Sequence, residues 1–476
     1  MKKIAVVFAV LSSLAAQPAF AMCGCFMPPR PPPTQTVAAA KLTNRASNVV
    51  LVHDGDRTVV TMSNDFQGDT THFGIVIPVP TAITRDQIHV GEKDMLESLT
   101  AATGPRLLEY PAIDPCGPMV GMMDGRAVAP SAKASAEGRA GSGGSAASLG
   151  VKIDASYTVG EYDIQILSAT EPEGLVTWLD DHGYKVPDGA SKIFGTYLRQ
   201  NMRFFVAKVN LKAQSKSGYA YLRPIQIAYE SPKFVLPIRL GMLNADGPQE
   251  LTIHAITKNG RVESTNYRTV KVPTGGGNLP EYVKGDFDGM YRALFRNAER
   301  REDYAVLFQE FAGSSSQSVT SPVLRNDGNR GRGAMPMGPP AMISMQPVLS
   351  DADLRALGVW WRGQSPAFVT RLHFLYDEEH FPEDLVLQTT SDATPFQAQY
   401  SIQDTVKNPS CMSAGQWAQQ MEPTREQEAQ TLAHLTGWDI DDIRQGTAKS
   451  APVDKPSNKT GNDEPAKKSW YQNLWK

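Results

Sequence analysis

The sequence predicts an α+β protein, β-rich, with mixed antiparallel sheets and peripheral helices, arranged as two linked domains with low-complexity insertions. Three observations lead there. Short apolar runs rich in Val, Ile, Phe and Tyr recur between turn-forming groups, as strands require. Amphipathic stretches with apolar residues at helical spacing lie among them. Two tracts, Ser131 to Ser148 and Gly313 to Pro347, are dominated by Ala, Gly and Ser in the first and by Ser, Gly, Arg, Met and Pro in the second, too little apolar surface to order a chain. The hydrophobic share of 41% is enough for a core, while 39 Gly and 34 Pro demand many turns. The expected division is a signal peptide at 1–21, an N-terminal β-rich domain at 22–125, a linker at 126–150 and a central α+β domain at 151–312. A disordered Met/Pro/Gly-rich loop at 313–347, a C-terminal segment at 348–445 that packs on the core, and a disordered tail at 446–476 complete it.

Taken in order, Lys2 and Lys3, the apolar run from Ile4 to Ala16 and the small-residue pattern Ala19-Phe20-Ala21 form a secretory signal with cleavage before Met22. The run is shorter than the roughly 20 residues of a bilayer-spanning helix, and no later stretch reaches that length. A bulky Met22 before Cys23 argues against lipid attachment. The expected location is periplasmic or otherwise extracytoplasmic, with an envelope component or another protein as partner. Lys plus Arg total 47 against 50 acidic residues, a balance that argues against nucleic acid.

Strands are expected at Asn48 to His53, Arg57 to Met62 and Phe73 to Val79, with Asp54-Gly55-Asp56 as a turn. Asp94 is placed to cap a helix from Met95 to Ala102, with Glu97 as its capping-box partner. Beyond the first low-complexity tract come a strand at Tyr162 to Ala169 and helices at Glu171 to His182 and Ser191 to Asn201. Strands are then expected at Met202 to Leu211, Tyr219 to Tyr229, Phe234 to Leu240 and Glu250 to Lys258. Pro237 confines the third of these to an edge or bulge. A helix at Gly289 to Arg301 leads into a strand at Tyr304 to Phe311. Asp351 to Leu357 reads as a helix, and Ala367 to Tyr376, Asp384 to Gln388 and Phe396 to Ile402 as strands. Ala414 to Asp442 reads as helical, offering Trp417, Leu432, Leu435 and Trp438 for burial. The last residues, Ser469 to Lys476 with Trp470, Tyr471 and Trp475, form an amphipathic end suited to a partner or membrane surface.

All four cysteines, Cys23, Cys25, Cys116 and Cys411, lie after the signal, so two disulfides are expected in an oxidising compartment. Cys23 and Cys25 are too close in sequence to pair without strain, which leaves Cys116 and Cys411 as their partners and ties the mature N-terminus to distant segments. The alternative is a soft-metal site for copper from Cys23, Cys25, Met22 and Met27, helped by Met335, Met337, Met342 and Met345.

Catalytic motifs are missing: the sequence has no Gly-x-Ser-x-Gly elbow, phosphate loop or zinc-protease helix, and it points to no cofactor. Two acidic groups remain. Asp65, Gln67 and Asp69 surround Gly68 in a turn between strands that could hold an ion or polar ligand, though one loop supplies few of the oxygens Ca²⁺ takes. Asp377-Glu378-Glu379-His380 reads first as a solvated charged turn and second as a metal or acid–base site.

Several segments stand out as an ordered set: Cys23-Gly24-Cys25-Phe26, Gln67-Gly68, Phe73 to Pro80, Trp178-Leu179, Gly183 to Pro187 and Phe204 to Val209. Leu236 to Leu240, Thr370-Arg371-Leu372, Asp384 to Leu387 and Leu435 to Trp438 continue it. Together, over roughly Cys23 to Arg444, they resemble the exported bacterial proteins grouped as domain-of-unknown-function family 2330. The resemblance implies an extracytoplasmic protein and no particular reaction. It directs the search for a family site to the Phe73 to Pro80 strand and the acidic turn before it. The family start is usually richer in Gly and Cys, and several members carry a C-terminal membrane helix; this chain departs on both counts. The most economical functional reading is a non-catalytic binding or envelope-associated scaffold module, with an extracytoplasmic hydrolase-like enzyme or a copper handler as alternatives.

Overall fold

The computed structural model describes residues 19–20, 24–29, 43–67, 72–112, 115–116, 147–148, 150–210, 222–245, 247–316, 349–361, 366–406 and 409–450. Its ten principal strands, in chain order, are β1 (Thr43–Asp54), β2 (Arg57–Gln67), β3 (His72–Val79), β4 (Val151–Val159), β5 (Tyr162–Ala169), β6 (Arg203–Asn210), β7 (Ile225–Glu230), β8 (Gln249–Thr257), β9 (Val306–Ser314) and β10 (Phe368–Tyr376). Its helices are α1 (Asp94–Thr103), α2 (Pro172–Asp181), α3 (Ala190–Leu198), α4 (Phe287–Arg301), α5 (Asp351–Ala356), α6 (Ala414–Thr436) and α7 (Ile440–Ser450). The α+β class follows directly.

The larger sheet runs from the short strand Arg268–Lys271 through β9, β10, β8, β1, β2 and β7 to Ile88–Val90. The pairs β8/β1 and Arg268–Lys271/β9 are parallel; the other neighbours along this path are antiparallel. The smaller sheet is antiparallel in the order Cys25–Met27, β3, β6, β5, β4, Ala147–Ser148. Alternation explains how they stack. In β3, Phe73, Ile75, Ile77 and Val79 face inward, and in β6 so do Phe205, Ala207 and Val209, meeting Val49, Leu51, Ile253, Leu372 and Phe374 of the larger sheet in one core. The opposite face of β6, Phe204 and Val206, packs against Leu175, Leu179, Phe194 and Tyr197 of α2 and α3. The outer face of the larger sheet is covered by α1 and α5 at one place and by α4, α6 and α7 at another. β10 is buried along its whole length because both its faces are covered, so apolar residues recur on both faces, with Thr370, Arg371 and His373 interspersed. Both sheets draw strands from either side of residues 126–150. Among the described residues no helix is long and apolar enough to cross a membrane.

Several local expectations differ from the structure. Asp94 sits in the first turn of α1, after Lys93 at the cap, and makes no cap bond. Phe234 to Leu240 contributes only Val235–Leu236 as strand, because Pro237 has no amide to donate, and the chain turns into a 3-10 helix at Arg239–Asn244. The single helix from Ala414 is two: Gly437, at φ +72°, ends α6 in the left-handed region. Trp438 just beyond is therefore carried outward and is 40% exposed.

Candidate functional site

The break at Pro237 has a consequence for the surface. The 3-10 helix it starts lies opposite α3 and beside the turn from Asp377 to Pro382, and two adjoining concavities open between them. Asp384 fixes this corner. Its partly buried carboxylate accepts from Tyr197 Oη and the Ile238 amide at 2.9 Å each and from the Arg239 amide at 3.2 Å. Burial raises its pKa, with those three donors pulling the other way.

One concavity, of about 380 Å³, has Ile193, Met242, Leu243 and Phe381 as apolar walls and Glu378 and Glu379 among its lining. The other, of about 600 Å³, is lined by Ser191, Lys192, Thr196, Arg199 and Glu383. Arg239 lines both. The spacing of Ser191, Lys192, Gly195, Thr196 and Arg199 puts them on one side of α3, while Phe194 and Tyr197 enter the core.

The Asp377 to His380 turn is more organised than a merely solvated loop. Asp377 Oδ1 accepts from the His380 amide at 2.9 Å and lies 2.8 Å from His380 Nδ1, which orients the imidazole. Tyr304 packs its ring 5.1 Å from that imidazole and holds φ +63°, an uncommon conformation for a bulky residue. A carboxylate-oriented histidine can exchange a proton with a group it reaches, and His380 stands beside the concavities without lining either. The sequence already held the charged cluster; what it could not show was the groove, since Ile193, Arg239 and Phe381 come from three distant segments.

A second polar constellation is buried between the larger sheet and the helices over it. Glu310 on β9 is fully buried; its Oε2 accepts from Arg371 Nε at 2.5 Å, its Oε1 lies 2.6 Å from His373 Nδ1, and Tyr291 Oη of α4 donates to it. His373 Nε2 is 2.9 Å from Glu250 Oε1, and Phe295 stacks on the ring at 4.1 Å. Burial alone would raise the Glu310 pKa, but His373 and Arg371 hold it well below the usual range. Burial would lower His373, yet Glu310 and Glu250 push it up to about 10. Nearby, burial lifts Glu299 to about 7 against the pull of Arg296 and His373. Burial, then the charge of Arg371, lowers His254 well below the usual range. Thr103 Oγ1 donates to the Leu99 carbonyl at 2.7 Å, so His254 Nε2 donates to Thr103 at 3.0 Å, and its Nδ1 has no hydrogen-bond partner among the described residues. This network lines neither concavity and acts as a tie between β8, β9, β10 and α4. Sequence reading missed it because its charged members sit singly inside apolar strands.

The expected cysteine pairing is overturned. Cys116 and Cys411 are joined to each other, which leaves neither for Cys23 or Cys25. Met22 and Cys23 lie outside the described residues, as do Met335, Met337, Met342 and Met345. Cys25 and Met27 are both fully buried on the helix side of the smaller sheet, and burial pushes the Cys25 thiol far above its usual range, an environment that disfavours the thiolate a copper site needs. The N-terminal segment is fastened instead by pairing, Cys25 with Val76, Phe26 with Ile75 and Met27 with Gly74. Gly24 is required there, since a Cβ would come within 2.6 Å of the Val76 carbonyl oxygen. The predicted acidic turn starts later than expected: Asp65 and Gln67 belong to β2, Gln67 opposite Thr43, and Gly68 and Asp69 lie outside the described residues. The Phe73 to Pro80 segment supplies β3, an interior strand of the smaller sheet between Cys25–Met27 and β6. Among the described residues no group of three or more His, Cys, Asp or Glu is placed to hold a metal ion.

A family model described as an uncharacterized protein conserved in bacteria (DUF2330) matches residues 18–388. No curated protein and no solved structure matches the chain.

Proposed function

The chain belongs to this family of uncharacterized bacterial proteins, and from that premise we propose that it is an exported, extracytoplasmic binding or envelope-associated scaffold protein without catalysis of its own, holding its ligand in the groove between α3 and the Asp377 to Pro382 turn. The observation that carries this reading is Arg239, which lines both concavities and whose backbone is pinned by Asp384. A groove with apolar walls and a few fixed polar groups is the usual form of a small-ligand site. Export is supported by the Lys2, Lys3 and Ala19 to Ala21 pattern and by the Cys116–Cys411 disulfide, a bond that persists in oxidising compartments.

Two measurements test the proposal. Cell fractionation with mass determination should find the chain outside the cytoplasm and beginning at Met22; an unprocessed cytoplasmic chain would refute export. Hydrogen exchange in a clarified envelope extract should protect the amides of α3 and of residues 377–382 relative to buffer; protection elsewhere, or none, would remove the groove from consideration. The His380–Asp377 pair favours a second reading, an extracytoplasmic hydrolase-like enzyme in which His380 moves a proton. Turnover of an extract-derived substrate that His380→Ala abolishes would establish that reading over the first.

A further inference from the structure

Three cations converge on the second concavity: Lys192 and Arg199 from α3, and Arg239 from the 3-10 helix opposite. One carboxylate, Glu383, stands among them, and its Oε2 is 3.5 Å from Asn266 Nδ2. Lys192 and Arg199 are only loosely committed. Lys192 Nζ lies 3.8 Å from Glu378 in an exposed pair, and Arg199 Nη2 is 3.4 Å from Thr196 Oγ1. Contacts of that length in water are easily given up. Arg239 is different: it is partly buried, and its guanidinium makes no hydrogen bond or ion pair among the described residues, only a through-space attraction to the Asp384 carboxylate.

The Asp384 carboxylate offsets part of the Arg239 charge but accepts from Tyr197 and two amides instead, so the guanidinium N–H donors stay open, and the group that best satisfies them is a planar or compact oxyanion that takes two at once. The helix face opposite suits such a group. Thr196 Oγ1 is close enough to Arg199 to share an anion with it, and Gly195 keeps the wall low, since a Cβ there would lie 3.5 Å from both Arg199 Nη1 and Pro172 Cγ. The adjoining concavity continues from Arg239 along Ile193, Met242, Leu243 and Phe381, which offer apolar contact, while Asp377, Glu378 and Glu379 elsewhere in its lining confine an anionic head to the α3 end.

We infer that the α3 concavity binds a compact oxyanion, a carboxylate or phosphate group, carried on a ligand whose apolar part lies along Ile193, Met242, Leu243 and Phe381. This rests on the groove reading above and names the chemical class of its ligand. Lys192 and Arg199 supply long-range attraction, and Arg239 supplies the directed bonds.

Titration calorimetry on the full chain, at constant ionic strength balanced with chloride, tests it with inorganic phosphate, acetate and octanoate. Octanoate should bind more tightly than acetate, and phosphate against acetate tells which headgroup the site prefers. Arg239→Gln should weaken every anion that binds by about tenfold or more, the usual worth of a charge-assisted bond. Lys192→Gln with Arg199→Gln should weaken them further, and Glu383→Gln should tighten them. Unchanged affinity in a folded Arg239→Gln protein overturns the assignment, as does the double variant if Arg239→Gln fails to fold and the double variant binds as the parent does. Octylamine is the opposing probe: if it binds, is lost in Glu379→Gln, and no anion binds, the groove stands and the anion class falls. If neither octanoate nor octylamine protects α3 amides from exchange, both readings fall.

Discussion

Among the described residues Glu299 is one of two glutamates, with Glu428, whose carboxyl pKa is lifted by burial to about 7. Its carboxyl lies on α4 facing His373 of β10, Glu250 of β8 and its own neighbour Arg296, and it accepts from the Leu375 amide. Its folded pKa, about 7, is above the 4.5 of an ordinary glutamate, so the folded state gains from the proton below pH 4.5 and loses that gain as pH rises through 7. Glu299→Gln should therefore match the parent below about pH 4.5 and be the more stable above about pH 7, by urea unfolding across that range. His373 has the same sense at a higher window, present below 6.5 and lost through about 10, whereas lowered His254 and His53 weaken the fold as pH falls below 6.5. Opposed contributions of this kind are separated only as differences between variant and parent. Arg371 carries another prediction. It faces fully buried Glu310, and Arg371→Ala leaves that carboxylate one cation short, a loss of about 3–5 kcal/mol. An unfolding midpoint close to the parent's would mean that Tyr291 and His373 suffice.

At the level of elements, most strands were legible because alternation and β-branched content survive in a covered sheet, as in β3, β6 and β10. The long strand β4 was not, since Lys152, Asp154, Ser156 and Thr158 interrupt its apolar content. Helix boundaries failed where one glycine decided them. Gly437 separates α6 from α7 with φ +72°, and a Cβ there would lie 2.8 Å from Oδ1 of Asn297, whose Nδ2 donates to the His434 and Leu435 carbonyls and so holds the end of α6. Gly437→Ala should cost about 1–3 kcal/mol and loosen α7 first, seen as faster amide exchange over residues 440–450 than elsewhere. Uniform loosening would show instead that α7 contributes to the global unit. The groove, too, was illegible at this scale. Its charged turn was plain in the sequence, but Pro237 had to break a strand before Arg239 could face α3, and no periodicity announces such a meeting.

Across the whole molecule, two sheets share one core, and each takes strands from both sides of the first low-complexity tract. The N-terminal segment is held by a strand and the far segments by a disulfide, the reverse of the arrangement that cysteine spacing suggested. Cys116 follows the strand Arg106–Tyr110, which pairs in parallel with Gln399–Gln403, and Cys411 precedes α6, so the bond closes the end of an existing pairing across 295 residues. Replacing both with serine should cost about 2–5 kcal/mol in urea unfolding, with amide exchange rising first over residues 106–112 and 403–420. The same bond changes what a protease can do. A single cut between Cys116 and Cys411 opens a ring instead of dividing the molecule. A chain nicked once in either low-complexity tract would keep its intact mass plus one water under non-reducing conditions and separate into two pieces only after reduction and denaturation. Were the chain exported as proposed, a single proteolytic cut in either tract would then leave every strand of both sheets attached to its neighbours.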